Sequence, residues 1–338
     1  MEIFEDILAF LIPIGFIVLV MIIIIFVTKL MSRWIYSKIS EQHEEPTVHN
    51  DEDIYMESSL LDLNGADNYE RKVKKITRYY TDIDGENVIK AGICYVINYN
   101  KNRKTDDLLE FDRKGKEINH LIYEYDKNGN LLFVRNLKKN GKMIVSEQHF
   151  YNEKGEHIET KFWDDGRISF DSFFKYDENG NCIEFRNEDY GLDGIVVESR
   201  FVSVYDENNK ETERIKYEGL AEETEKEVYF YYDDGKMKET QIVDIETGKI
   251  NSRDLYLYAL DGKLSEIVTY EESEITEKWV YSYNQHGKET ECRIYDGLGN
   301  LTHKHVSLYD ERGSFCGTKK YKNGILIFSY FDEIEYYD

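Results

Sequence analysis

Hydrophobic and polar positions form two different patterns along the 338-residue chain. Residues 7–28 are almost entirely apolar and contain no charged side chain. Further along, apolar and polar side chains alternate, so that Tyr123 and Tyr125 point to one side and Glu124 to the other. Two-residue alternation with aromatic and β-branched content is typical of β-strands. The sequence therefore predicts an all-β domain over residues 73–338.

The apolar segment at residues 7–28 is predicted to be a transmembrane helix. Its length as a helix is roughly 33 Å at about 1.5 Å per residue, which matches a hydrocarbon core of about 30 Å. The alternative, a cleaved secretory signal, would begin with a basic region and end at small residues. Here Glu2, Glu5 and Asp6 precede the segment and no such site follows. We therefore expect residues 7–28 to insert into the lipid bilayer, after a short acidic N-terminus at residues 1–6.

Residues 29–72 combine a juxtamembrane basic segment with an acidic linker. Lys29, Arg33 and Lys38 follow the apolar segment. The positive-inside rule then favours a cytoplasmic repeat domain, with an extracytoplasmic location as the alternative. Acidic residues dominate the remainder of this region, which is typical of a solvated tether.

A phrase that begins with tyrosine returns about every 26 residues. It is clearest as YDKNGN at Tyr125 and YDENGN at Tyr176, and most of its copies are separated by a second turn, such as KKNGK at Gly141. The repeating tyrosines are Tyr99, Tyr125, Tyr151, Tyr176, Tyr205, Tyr232, Tyr258, Tyr283 and Tyr309. Asp and Asn favour turn starts, and Gly supplies the positive φ that these turns require. Each unit is therefore predicted to be a β-hairpin repeat.

Nine such units predict about eighteen strands of about nine residues each. An open twisted sheet rarely exceeds about ten strands without curling or splitting. The sequence therefore predicts tandem antiparallel β-hairpin repeats that form a long curled or superhelical meander sheet. Its aromatic rows are expected to face inward or to stack along one face. A β-propeller with two units per four-stranded blade is the alternative.

The tandem Y-D-x-N-G-N phrase resembles the YD repeats of RHS-type proteins. It is also similar to the MORN-like repeats of some bacterial antitoxin-type proteins. The resemblance covers roughly residues 95–338 and rests on the turn phrase, because the period is longer than usual and the G-x-G element of MORN units is missing. It implies a β-hairpin array that encapsulates, scaffolds or binds partners and performs no chemistry itself.

Charge and composition narrow the classes of partner. The chain has 43 Lys and Arg against 67 Asp and Glu, which gives a formal net charge of −24. This charge argues against nucleic-acid binding, which needs clustered basic side chains, and it would attract a cationic partner. The 28 Tyr, 17 Phe and 3 Trp argue against general disorder. We therefore expect a protein partner and no nucleic-acid partner, while a small-molecule ligand stays unknown.

No motif in the sequence predicts a catalytic residue, a cofactor site or a metal site. The pairs Asp164-Asp165 and Asp233-Asp234 could serve glycoside hydrolysis, but both fall at predicted turns. The phrase DKNGN at residues 126–130 lacks the spacing and the twelfth-position Glu of a calcium loop. The glycines of GLG at residues 297–299 have no following helix to cradle a phosphate.

Histidines and cysteines also give no complete site. His303 and His305 would share one strand face, but a third zinc ligand is not evident, so exposed strand histidines are expected. The cysteines are widely spaced, which fits reduced thiols in a cytoplasmic compartment better than disulfides or a zinc site. They are Cys94, Cys182, Cys292 and Cys316.

The tyrosine rows permit two interpretations. Cross-strand aromatic pairs can hold a thin sheet together, and exposed aromatic rings can also form a platform for a sugar or a peptide. Recurrence in nearly every unit favours the structural role. The functional hypothesis is a membrane-anchored binding or scaffold module without catalytic activity. The alternatives are an immunity or antitoxin-like protein that binds a basic partner and, more remotely, a carbohydrate-binding or carbohydrate-active protein.

Overall fold

The computed structural model describes residues 73–85, 87–164, 166–191, 194–218 and 222–337, all within one compact unit, Asn64–Asp338. The predicted N-terminal segment, transmembrane helix and linker, residues 1–72, lie outside the described residues. Within the described ranges, no helix has the length and apolar character needed to cross a bilayer.

The described residues form β-strands joined by short turns. The twenty strands are β1 Val73–Asp84, β2 Asn87–Tyr99, β3 Thr105–Phe111, β4 Glu117–Tyr125, β5 Leu131–Leu137, β6 Met143–Tyr151, β7 His157–Asp164, β8 Arg167–Tyr176, β9 Cys182–Gly191, β10 Gly194–Tyr205, β11 Glu211–Glu218, β12 Glu222–Tyr231, β13 Met237–Val243, β14 Ile250–Tyr258, β15 Leu264–Glu271, β16 Glu274–Tyr283, β17 Glu289–Asp296, β18 Leu301–Tyr309, β19 Phe315–Lys322 and β20 Ile325–Tyr336. The predicted eighteen strands are two too few, because β1 and β2 form a hairpin that lacks the tyrosine-turn phrase.

The sheet is closed. Each strand pairs antiparallel with its neighbours in sequence, and β20 also pairs with β1, so the strands form a β-barrel. At this seam Ile76 lies opposite Ile334 and Arg78 lies opposite Asp332. The predicted curled or superhelical meander is therefore wrong, and so is the β-propeller. Closure is favourable because it pairs the backbone N–H and C=O groups that two edge strands would leave free.

The turns alternate between the two ends of the barrel. Those after even-numbered strands form one end, which we call the tyrosine rim. Its turns are residues 100–104, 126–130, 152–156, 177–181, 206–210, 232–236, 259–263, 284–288 and 310–314. In the second of these, Oδ1 of Asp126 accepts hydrogen bonds from the backbone N–H groups of Asn128 and Asn130, both at 2.8 Å. Gly129 closes the turn with a φ of +86°, which disfavours other residues.

The repeating tyrosine in the sixth rim turn is Tyr231 and not the predicted Tyr232. The backbone N–H of Tyr232 donates to the carbonyl oxygen of Lys236 at 2.9 Å, so Tyr232 takes the first turn position. Tyr232, predicted to be the repeating tyrosine, is 38% exposed, and Phe230, two residues before it, is 41% exposed. Tyr229 and Tyr231 occupy the row instead, because the alternation shifts by one residue.

The barrel wall is one sheet thick and has two chemically different faces. The tyrosine face carries Tyr123, Val134 and Thr160, of which Val134 is 1% and Thr160 is 4% exposed. The charged face carries cross-strand ion pairs such as Lys226 with Glu213, whose Nζ and Oε2 atoms are 2.8 Å apart. The buried apolar side chains of the described residues are Ile76, Cys94, Tyr95, Ile97, Val134, Val268, Cys292, Ile294 and Leu326.

Candidate functional site

The tyrosines that end β4, β6, β8, β10, β12, β14, β16 and β18 fasten neighbouring strands together. Each hydroxyl donates to a backbone carbonyl at the start of the preceding strand, with oxygen–oxygen distances of 2.6 to 3.0 Å. The donor and acceptor residues are Tyr125 and Thr105, Tyr151 and Leu131, Tyr176 and His157, Tyr205 and Cys182, Tyr231 and Glu211, Tyr258 and Met237, Tyr283 and Leu264, and Tyr309 and Glu289. The hydroxyls are therefore used by the backbone.

A lysine at the last position of a rim turn covers the ring of the next strand-end tyrosine. The distances from Nζ to the ring centroid are 5.8 Å for Lys104 and Tyr125, 5.1 Å for Lys210 and Tyr231, 5.3 Å for Lys236 and Tyr258, 5.7 Å for Lys263 and Tyr283, and 5.6 Å for Lys288 and Tyr309. These distances are within the range of about 6 Å for cation–π attraction.

The same lysines fill the space between adjacent rim turns. A Cβ atom on Gly235 would lie 2.9 Å from Nζ of Lys210, and one on Gly262 would lie 3.2 Å from Nζ of Lys236. Nζ of Lys288 donates to the carbonyl oxygen of the next turn's glycine at 2.6 Å. Each lysine therefore contacts both the tyrosine ring and the glycine of the following turn.

The turn at residues 126–130 ends in Asn130 instead of lysine. The side-chain amide of Asn130 folds back and donates to Oδ2 of Asp126 at 3.0 Å. A Cβ atom on the next glycine, Gly155, would meet no atom within 4 Å. The space that a lysine occupies elsewhere on the rim is therefore open beside Tyr151.

Three other rim turns also lack this lysine. In the turn at residues 310–314, Ser314 takes the position and its Oγ atom accepts a hydrogen bond from the hydroxyl of Tyr336 at 2.6 Å. The spaces at the other two turns are partly bridged. Glu156 takes the position in one turn, and its Oε1 atom would lie 3.7 Å from a Cβ atom on Gly180. Asn181 takes it in the next turn, and its amide donates to Oδ1 of Asn209 at 2.9 Å. The side-chain amide of Asn130, in contrast, bonds within its own turn.

An open polar groove of about 480 Å³ lies between the turns at residues 126–130 and 152–156. This volume is within the range of small-ligand sites. The groove is lined by turn residues and strand residues. The turn residues are Asp126, Asn128, Asn130, Asn152, Glu153, Lys154 and Gly155, and the strand residues are Leu132, His149, Phe150 and Tyr151. Backbone N–H groups, that of Asn130 first, hold the pKa of Asp126 below its usual value, so this exposed carboxylate is ionised at neutral pH.

A polar cluster that sequence reasoning missed includes His149, which also lines the groove. Nδ1 of His149 and Nε2 of His157 are 3.3 Å apart, and Oγ1 of Thr160 lies 3.1 and 2.8 Å from them. Burial lowers the pKa of His157, and His149 lowers it further. Nε2 of His149 is 3.3 Å from Glu147, yet it has no hydrogen-bond partner among the described residues. Because Thr160 is 4% exposed, a substrate cannot reach its hydroxyl, and the cluster serves packing.

A second buried titratable group lies on the charged face. Asp171 is 1% exposed, and its Oδ2 atom accepts a hydrogen bond from the hydroxyl of Tyr190 at 2.9 Å. Nζ of Lys161 is 3.4 Å from the same oxygen. Burial raises the pKa of Asp171. Two further carboxylates share these partners, since the hydroxyl of Tyr190 also lies 3.4 Å from Oε2 of Glu188 and Nζ of Lys161 lies 2.5 Å from Oε1 of Glu159. Asp171 therefore belongs to a network of ion pairs and hydrogen bonds within the wall.

Of the carboxylates considered from the sequence, Asp234 serves a turn. Asp234 accepts the backbone N–H of Lys236 at 3.1 Å and also pairs with its ammonium at 2.8 Å. Asp164 ends β7, and residue 165 lies outside the described residues. The glycines at residues 297–299 belong to a turn in which Asp296 and Asn300 repeat the bonds of Asp126 and Asn130.

His303 and His305 lie on the tyrosine face of β18 and are half-buried, so the expectation of exposed histidines is wrong. The His305 ring packs edge-on against Trp279 with centroids 6.4 Å apart. Burial lowers the pKa of His305, and Lys320 adds to this effect. Nowhere in the described part of the chain do three or more His, Cys, Asp or Glu side chains form a group that could hold a metal ion.

The described domain is distantly similar to parts of Tc toxin assemblies and to porin-like proteins. A Tc holotoxin pore of Photorhabdus luminescens is 10% identical, with a TM-score of 0.28 over 71% of this chain and 16% of the toxin chain. A TcdB2-TccC3-Cdc42 complex is 11% identical, with a TM-score of 0.30 over 74% and 17%. A porin-like protein from Bacteroides uniformis is 10% identical, with a TM-score of 0.31 over 78% and 96%.

These similarities are too weak to carry an argument about function. The chain spans less than a fifth of the length of the toxin chains that it matches. The predicted resemblance to RHS-type repeats is confirmed only as this distant similarity to the toxin shells, and the resemblance to MORN-like repeats stays a prediction. No protein-family model and no curated protein matches the chain.

Proposed function

We propose that this chain is a single-pass membrane-anchored binding module without catalytic activity. Residues 7–28 would hold it in the bilayer, and residues 29–72 would tether the barrel. The basic residues after the apolar segment favour a barrel on the cytoplasmic side. The open groove beside Tyr151 is the observation that carries the proposal, because there an aromatic ring and two carboxyl side chains border space that the chain itself leaves unfilled.

A binding role is supported because the reactive groups near the groove already form hydrogen bonds within the protein. The carboxylate of Asp126 accepts backbone N–H groups, and the hydroxyl of Tyr151 donates to the carbonyl oxygen of Leu131 at 3.0 Å. Thr160 is buried against two imidazoles. A binding surface needs shape and charge from these groups, whereas catalysis would need them free to exchange protons or bonds.

Site-specific photo-crosslinking in the native cell tests this function. A photoreactive amino acid would replace Asn128, in the groove, or Leu298, at the same position of the equivalent turn at residues 296–300. We expect a discrete protein adduct from position 128 and none from position 298. Equal adducts at both positions, or none at position 128, would contradict a binding role for the groove.

The alternative, an immunity or antitoxin-like protein that binds a basic partner, draws on the net charge of −24 and on the carboxylates of Asp126 and Glu153 at the groove. This alternative uses the same groove. The identity of the protein crosslinked at position 128 distinguishes it from a general scaffold role. A basic toxin in that adduct would favour this alternative.

A further inference from the structure

The tyrosine rim repeatedly binds one kind of group in the space between its turns. In five places a lysine of the chain itself lies over a strand-end tyrosine, with Nζ 5.1 to 5.8 Å from the ring centroid. The negative face of an aromatic ring attracts a cation at such distances. The rim is therefore a row of ammonium sites, most of which are occupied by the protein's own side chains.

The site beside Tyr151 has the same frame without the lysine. The hydroxyl of Tyr151 is fixed by Leu131, as in the other units, so its ring is held in place. Asn130 stands where lysine stands in the five filled sites, and its amide is bound to Asp126. Gly155 has open space beside it, where Gly235 and Gly262 have a lysine of the chain.

The charges at this site suit a cation from outside. The carboxylates of Asp126 and Glu153 border the groove, and the protein as a whole carries a formal net charge of −24. Lys154 also borders it and opposes them in part. With two carboxylates against one ammonium, the groove retains a net negative charge beside an aromatic ring. A partner's ammonium or guanidinium group would therefore be attracted and then held by the ring.

We propose that the groove beside Tyr151 receives a lysine or arginine side chain of a polypeptide partner, in the place that Lys104, Lys210, Lys236, Lys263 and Lys288 fill on the rest of the rim. This inference rests on the proposed binding function and adds the chemistry of the partner. The groove, at about 480 Å³, has room for one long side chain together with the backbone that carries it.

Binding of a fluorescent hexalysine peptide to the full-length protein, at physiological salt, tests the inference. Asn130→Lys would place the chain's own ammonium over Tyr151, as in the five filled sites, and we expect it to weaken binding about tenfold, the equivalent of a cation–π contact of moderate strength. Asn300→Lys is the matched control. It adds the same charge and breaks the same bond to Asp296 at the opposite rim, so hexalysine should bind it like the unchanged protein.

A second pair of variants tests the same groove independently, so that the inference can still be checked if Asn130→Lys does not fold. Glu153→Gln removes a carboxylate at the groove, and we expect weaker hexalysine binding. Glu311→Gln removes the carboxylate at the same position of the rim turn at residues 310–314, and binding should be unchanged.

Three results would overturn the inference. They are a failure of hexalysine to bind, equal weakening of binding by both lysine variants, and a Glu153→Gln variant that binds like Glu311→Gln. Either of the last two results would mean that the net charge of the protein, and not the site beside Tyr151, attracts the peptide. None of these results removes the proposed binding function, because the adduct from position 128 is measured with the cell's own partner. Loss of that adduct alone would remove the function.

Discussion

At the scale of single residues, packing in the barrel wall changes the pKa of His157. Its imidazole contacts His149 and Thr160 and packs against the rings of Tyr151 and Phe174, with centroid distances of 5.2 and 4.9 Å. Burial and the neighbouring imidazole lower its pKa from the ordinary value of 6.5. The folded protein therefore binds a proton at this position less readily than the unfolded chain does.

This difference predicts a loss of stability in mild acid. The unfolded chain takes up the proton as the pH falls through 6.5, while folded His157 stays neutral until a lower pH. The contribution of His157 is thus complete above pH 6.5 and is lost as the pH falls through its folded pKa. We expect His157→Gln to flatten the dependence of the unfolding free energy on pH between about 7 and 5.5, measured by chemical denaturation.

The control is His286→Gln, in the exposed rim turn at residues 284–288, which should leave the pH dependence unchanged. A pH profile of His157→Gln that matches that of the unchanged protein would show that its imidazole does not couple folding to protonation.

At the scale of the hairpin, the strand-end tyrosines predict a small and repeated stabilisation. The hydroxyl of Tyr258 donates to the carbonyl oxygen of Met237 at 3.0 Å, and its ring also lies beneath Lys236. Tyr258→Phe removes the hydrogen bond and keeps the ring. We expect the unfolding free energy to fall by about 1 kcal/mol, the usual net contribution of such a bond, in chemical denaturation of the full chain.

Tyr232→Phe provides the comparison. The hydroxyl of Tyr232 is exposed and lies 3.3 Å from the carbonyl oxygen of Tyr256, so water can replace the contact and the loss should be smaller. Equal losses in the two variants would mean that the strand-end hydroxyls do not fasten the hairpins.

Local elements could be predicted from the sequence because their causes are local. The turn at residues 126–130 follows from Asp, Asn and Gly at fixed spacing, and its hydrogen bonds lie within five residues. The tyrosine of the sixth rim turn was misplaced because Tyr231 and Tyr232 are adjacent. Counting four residues back from Gly235, as in the turn closed by Gly129, identifies Tyr231.

The groove was beyond sequence reasoning for a different reason. It depends on contacts between consecutive turns, about 26 residues apart, and on which residue stands after each turn glycine. Lys104 and Asn130 differ in length and in charge, but their effect on the space between turns becomes visible only when the register of the hairpins is known. The hairpin β1–β2 lacks the tyrosine-turn phrase, and the repeat pattern therefore does not predict its two strands.

At the scale of the whole molecule, closure of the barrel depends on residues far apart in sequence. Arg78 and Asp332 are 254 positions apart and form a two-pronged ion pair, with nitrogen–oxygen distances of 2.9 and 3.0 Å. The guanidinium lies between the rings of Tyr95 and Tyr330, at 4.8 and 3.7 Å from their centroids. No pattern within a repeat could indicate this contact, and the sequence therefore predicts a curled or superhelical meander and not a closed barrel.

This ion pair predicts how the barrel opens. The side chain of Asp332 is 4% exposed and that of Arg78 is 14% exposed, so removal of one partner leaves a largely buried charge without compensation. We expect Arg78→Met to lower the unfolding free energy by about 3–5 kcal/mol. The double variant Arg78→Met with Asp332→Leu should recover most of that loss, because no buried charge remains.

Hydrogen exchange locates the effect. If the pair closes the seam, Arg78→Met should speed exchange in β1 and β20 before the other strands, and the freed edges should promote self-association of the protein. Lys75→Met is the control on the same seam, since Lys75 pairs with the exposed Glu335 and should contribute less than about 1 kcal/mol. Faster exchange spread evenly over all strands, or equal losses for Arg78→Met and Lys75→Met, would mean that closure rests on the backbone ladder between β1 and β20.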